Sequence, residues 1–109
     1  MQRTIPESDW KLLRRVHPLA VERFCERVLA EIEGVVHRGH SAHRRYLDIY
    51  EIVQQRDRQI ASIFDDPKRS RALTMLAQIH TEGLLTDEEF KGLSRETRSA
   101  LIASLRGAG

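Results

Sequence analysis

Apolar residues along this chain recur at intervals of three and four, and no segment alternates between apolar and polar positions, so the sequence reads as helices joined by turns. A first helix is expected over residues 8–16, with Trp10, Leu13 and Val16 on one side and Lys11, Arg14 and Arg15 on the other. Pro18 lacks the amide that an interior helical position must donate, and it is expected to restart the chain. From Leu19 a second helix carries the stripe Val21, Phe24, Cys25, Val28, Ile32, Val35 and Val36, with Glu22, Arg23, Glu26, Arg27 and Glu31 on its far face. Arg38, Gly39 and His40 break the pattern, and Ser41 then offers a hydroxyl to cap a third, long helix. That helix carries Tyr46, Ile49, Tyr50, Val53, Ile60, Ile63 and Phe64, interrupted where Arg56 and Asp57 fall on the apolar turn.

Asp66 followed by Pro67 has the form of a cap and first helical residue, and predicts a fourth helix through Ala72, Leu73, Leu76, Ile79 and His80. Gly83 is placed to close it in the left-handed conformation. Thr86 and Glu89 have the spacing of a capping box, with Leu85 and Phe90 on either side as a hydrophobic staple. Ser94 caps a final helix bearing Leu101, Ile102 and Leu105, which is expected to end at the tail 107–109. The expected fold is therefore all-α: one domain over residues 1–109, a compact bundle of five or six helices. Its long second and third helices lie antiparallel across the turn at 38–41, and a helical hairpin closes the C-terminal end.

Composition narrows the possible roles. With 40% hydrophobic and 31% charged residues in 109, the chain has material for one core without disulfides. The single cysteine, Cys25, cannot form an internal bridge, which favours a reducing, cytoplasmic setting. No apolar run approaches the ~18 residues that span a bilayer, and Met1-Gln2-Arg3-Thr4-Ile5-Pro6 lacks the charged-then-apolar form of a leader, so no membrane association is expected. The net charge is only +2, but its distribution is uneven. Residues 38–71 hold eight basic and five acidic side chains, whereas residues 1–37 hold six of each.

Three groups of residues carry candidate chemistry. His37, His40 and His43 at three-residue spacing, with Glu33 as an oxygen donor, form a candidate metal or small-ligand site; the opposing reading is a solvated basic turn. Arg44 and Arg45 with Lys68, Arg69 and Arg71 form a candidate phosphate-binding face, the basis of a nucleic-acid-associated reading. Against that reading, Asp65 and Asp66 adjoin the second cluster, and the helix after Gly83 begins Asp87-Glu88-Glu89, which DNA would repel. Asp57 is a candidate buried carboxylate: it meets Arg69 or Arg71, or lines a small pocket, or its turn faces solvent. No nucleophile with a local base, no phosphate-cradling glycine loop and no zinc-type cysteine pair occurs, so no catalytic residue and no cofactor are assigned.

Leu73, Leu76, Ile79, Gly83, Leu84, Leu85, Thr86, Glu88, Glu89 and Phe90 resemble the short C-terminal helical hairpin of bacterial proteins known as the SHOCT-type domain. The resemblance implies oligomerisation or protein contact and carries no catalytic residues. It covers under a third of the chain, and Gly92 and Ser94 depart from it by interrupting the helix that the family continues after Phe90. The expectation from sequence is a non-catalytic helical module that pairs with itself or with another protein.

Overall fold

The computed structural model describes residues 5–108, all of them helix, turn or loop. Residues 1–4, which enter the leader reading, and Gly109 of the expected tail lie outside the described residues. Five α-helices are present among the described residues: α1 (Glu7–Val36), α2 (Ala42–Phe64), α3 (Ala72–Thr81), α4 (Asp87–Lys91) and α5 (Arg95–Ala108), with a 3-10 turn at Arg69–Arg71 before α3. None is long and apolar enough to cross a membrane.

Local chemistry explains most of the boundaries. The Ser41 hydroxyl accepts from the Arg44 amide at 3.1 Å and starts α2. At the end of α3, Gly83 has φ 70°, its amide donates to the His80 carbonyl and the Leu84 amide to the Ile79 carbonyl, each at 3.0 Å. This paired closure is a Schellman motif, with Ile79 and Leu84 both buried beside it. Thr86 and Glu89 form both halves of the capping box that starts α4. Gly92 follows α4 where a Cβ would come within 2.9 Å of Leu12 Cδ1, so glycine lets this turn lie against α1.

Three expectations are corrected. Residues 8–16 and the helix from Leu19 are one rod of 30 residues that passes through Pro18 without a break. Pro18 and Arg14, whose carbonyl loses its intrahelical donor, are both exposed, on a side of α1 that packs against no other helix core among the described residues. Asp66-Pro67 does not start a helix. Asp66 has φ 57°, Lys68 is extended, and α3 begins only at Ala72. Finally, α5 continues through Gly107 to Ala108 instead of stopping before the tail.

The long helices run antiparallel, as expected: Arg45 bonds to the Val36 carbonyl, Arg56 to Glu31 and His17 to the Phe64 carbonyl. The fold is not a compact bundle, however. Its extents are 52 × 27 × 24 Å with a radius of gyration of 16.6 Å, against the ~13 Å of a compact chain of this length. The core lies at one end, where Leu13, Val16, Phe24, Phe64, Leu76 and Leu101 are buried together. At the other end the α1–α2 hairpin projects with only its own seam to bury.

A buried carboxylate holds the base closed. Asp9 is wholly buried on the first turn of α1, and it accepts from the Ser94 amide at 2.8 Å, the Ser94 hydroxyl at 2.7 Å and the Thr97 hydroxyl at 2.6 Å. Ser94 in turn caps α5, its hydroxyl accepting from the Thr97 amide at 3.3 Å. Burial pushes the Asp9 carboxyl up, but the bonds from Thr97 and Ser94 outweigh it and hold the group below its ordinary value.

Three outcomes are expected. Asp9→Ala strands three donors and should cost about 2–4 kcal/mol, measured by urea denaturation. The same stabilisation is present above the ordinary Asp value of about 3.9 and should fade as pH falls below it, so the wild-type and variant stability curves converge in acid. Pro18→Ala restores one helical hydrogen bond and should add about 1–3 kcal/mol in the same assay.

Candidate functional site

The residues singled out by sequence are dispersed by the fold. His37, His40, His43 and Glu33 are all exposed around the hairpin tip. Among the described residues no three His, Cys, Asp or Glu side chains gather into a set that could hold a metal ion. The two arginine clusters do not form the shared face expected of them. They occupy opposite ends of α2, whose 23 residues span about 35 Å.

All five of these cations also have intramolecular work. Arg45 donates to the carbonyls of Val36 at 2.6 Å and His40 at 3.1 Å, tying the end of α1 to the start of α2. Arg44 pairs with Asp48 at 3.3 Å, and Lys68 with Asp66 at 3.2 Å. Arg69 reaches Glu7 at 2.5 Å and the Ile5 carbonyl at 3.2 Å. Arg71 donates to the carbonyls of Asp65 at 2.8 Å and Asp66 at 3.2 Å, which secures the loop where no helix cap forms.

Asp57 is exposed on α2 and meets neither Arg69 nor Arg71. Its neighbour Arg56 turns inward instead and grips Glu31 of α1 with two bonds of 2.9 and 3.0 Å. The Arg56 guanidinium holds the Glu31 carboxyl below its usual range. The buried acid of this fold is Asp9, which sequence reading passed over because its partners lie 85 and 88 positions away. Arg23, on the helix face that the sequence pattern assigns to solvent, clasps Glu89 at 2.8 and 3.0 Å and donates to the Leu84 carbonyl at 2.8 Å. Arg27 donates to the carbonyls of Glu82 at 2.5 Å and Gly83 at 2.9 Å. These two arginines fasten the α3–α4 turn to one side of α1.

The cleft between α2 and α3 encloses about 340 Å³ and is lined by Gln59, Ser62, Ile63, Thr74, Gln78 and Thr81, among others, with no imidazole and without Asp57. Cys25 is a free, partly buried thiol. Nothing in the cleft pairs a nucleophile with a base.

Besides Leu19, Leu47, Ile102 and Leu105, which are exposed elsewhere, a set of exposed apolar side chains lies on the opposite side. Leu29, Val36, Tyr46, Tyr50 and Val53 are between 41% and 64% exposed, although four of them fall on the stripes that sequence assigns to the core. At about 100° per residue, Leu29 and Val36 share one line on α1, and Tyr46, Tyr50 and Val53 share one on α2. Each line sits roughly a quarter turn from the α1–α2 seam formed by Val28 and Val35 with Ile49 and Ile52. Because antiparallel helices wind in opposite senses along a common view, the two lines project to the same side. Arg27 and Gln59 project to the other side, where Glu82 at the end of α3 joins them around a second cleft. The hairpin thus has one face partly roofed by the C-terminal helices and one apolar face left open.

No family model, no curated protein and no solved structure matches this chain.

If the basic residues serve the fold, removing one should lower stability directly. Arg71→Met, which frees the Asp65 and Asp66 carbonyls, is expected to cost ~1 kcal/mol by chemical denaturation.

Proposed function

We propose that this chain is a non-catalytic interaction module that docks through the open apolar face of the α1–α2 hairpin. The supporting observation is the set of five large apolar side chains, Leu29, Val36, Tyr46, Tyr50 and Val53, half-exposed on one side of a projecting arm. Contiguous apolar surface of this kind on a folded chain marks an interaction site. The resemblance of residues 73–90 to the SHOCT-type hairpin of bacterial proteins points the same way, because that family is associated with protein contact. The lone cysteine suits a reducing, cytoplasmic setting. The nucleic-acid reading is weaker, since Arg45, Arg69 and Arg71 satisfy backbone carbonyls of their own chain. The reading assigns no role to a metal at His37, His40 and His43.

The proposal is tested by asking whether the face is covered where the protein works. In a Cys25→Ser background, a cysteine replacing Val53 is labelled with a maleimide, in dilute purified protein and in extract of the expressing cells; Glu88→Cys on α4 serves as the exposed control. Labelling at position 53 is expected to slow at least about fivefold in extract while position 88 is unchanged. Equal rates at position 53 in both settings would overturn the proposal.

A further inference from the structure

Building on the docking proposal, we infer that the open face receives a second copy of this chain, with the two hairpins stacked antiparallel about a two-fold axis to complete a four-helix bundle. The argument is the symmetry of the face itself. In the hairpin, residue 33 of α1 lies level with residue 50 of α2, given the contacts of Arg56 with Glu31 and of Arg45 with Val36. On α1 the exposed Leu29 and Val36 fall on either side of residue 33; on α2 the exposed Tyr46 and Val53 flank Tyr50. A two-fold axis through that single level therefore sets Leu29 against Val36 of the second copy, Tyr46 against its Val53, and Tyr50 against its own equivalent. Both stripes obey one axis, as an isologous interface requires.

Charge selects the antiparallel arrangement over the parallel one. The tip carries Arg38, Arg44 and Arg45 with three histidines against Glu33 and Asp48, the latter paired with Arg44, while Glu22, Glu26 and Asp57 stand exposed nearer the base beside Arg27 and Arg58. Rotation about the same axis brings Arg38 within two residues of the level of Glu26 of the second copy and His43 to the level of its Asp57. Parallel stacking would instead set the two basic tips side by side.

Size agrees with a modest, reversible dimer. The overlap is about 21 Å long and two helices, about 20 Å, wide. Its ridged accessible surface places it near the lower end of specific interfaces, roughly 600 Å² per partner, so association in the micromolar range is expected.

The test is sedimentation equilibrium of the full chain over a concentration series, together with two charge-reversed chains. Wild type is expected to move from 12.6 kDa to twice that mass. Val53→Glu should stay at the monomer mass, with its thermal midpoint showing that the base remains folded. A chain with Glu26→Arg and Asp57→Arg, and another with Arg38→Glu and His43→Glu, should each self-associate about tenfold more weakly, and their mixture should regain wild-type pairing. Wild type that remains monomeric at every concentration overturns the inference, as does a mixture that pairs no better than its components. Monomeric wild type whose position 53 is still protected in extract would sink self-association alone and leave the docking proposal standing.

Discussion

A layer of two helices has two broad faces, and this chain has enough further helix to roof only one of them. That shortage governs the molecule. α3, α4 and α5 together are shorter than α1 alone, and they gather at one end of the hairpin, where Phe24, Phe64, Leu76 and Leu101 close a core. Beyond that base α1 and α2 have only each other, and an antiparallel pair buries just the seam, here Val35 with the partly covered Ile32, Ile49 and Ile52. Side chains a quarter turn from the seam stay in water unless something else arrives. The elongation of the molecule and its open apolar face follow from this one deficit.

Fastening the roof to one side requires directional contacts, because burial alone does not distinguish the two faces of the layer. Asp9 supplies one such contact by receiving three hydrogen bonds from the first turn of α5. Arg23 and Arg27 supply others, each from the exposed or half-exposed flank of α1 to the turn between α3 and α4. Arg23 is the more consequential of the two, since its hydrogen bonds to Glu89 lower that carboxyl's proton affinity and a capping-box residue thereby becomes a tertiary anchor. The caps thus do two jobs: they end helices locally and also serve as handles for distant side chains.

The local half of this arrangement was legible in the sequence. Ser41, Gly83, Thr86 with Glu89, and Ser94 act where their spacing places them, because each satisfies backbone groups within a few residues. Two local rules failed, one on an exposed helix side and one where nearby basic side chains bond the loop. Pro18 sits in mid-helix on an exposed stretch of α1, and Asp66-Pro67 opens no helix, the stretch taking another shape in which Arg71 and Lys68 bond to Asp66. Asp9 and Asp57 show the remaining limit. Both are acids on amphipathic helices, and which one is buried depends on Ser94 and Thr97, far away in sequence. Periodicity likewise marked Val36, Tyr46, Tyr50 and Val53 as inward-facing, but a stripe records only that a face seeks cover, and not whether its own chain provides it.

That distinction bears on why the face is apolar. The residues that close the base and those that line the open face do not overlap: Leu29, Val36, Tyr46, Tyr50 and Val53 all lie outside the buried cluster. Polar side chains at those five positions would leave the Asp9 anchor, the Arg23 clasp and the core intact. The apolar choice therefore leaves a large part of each side chain uncovered in the isolated fold, at a cost in solubility. Leu29 makes the point most sharply, because it stands off the seam on a helix that already has a complete inward stripe. Level with Val53 across the hairpin, it is the residue for which the proposed docking surface gives the most direct reason.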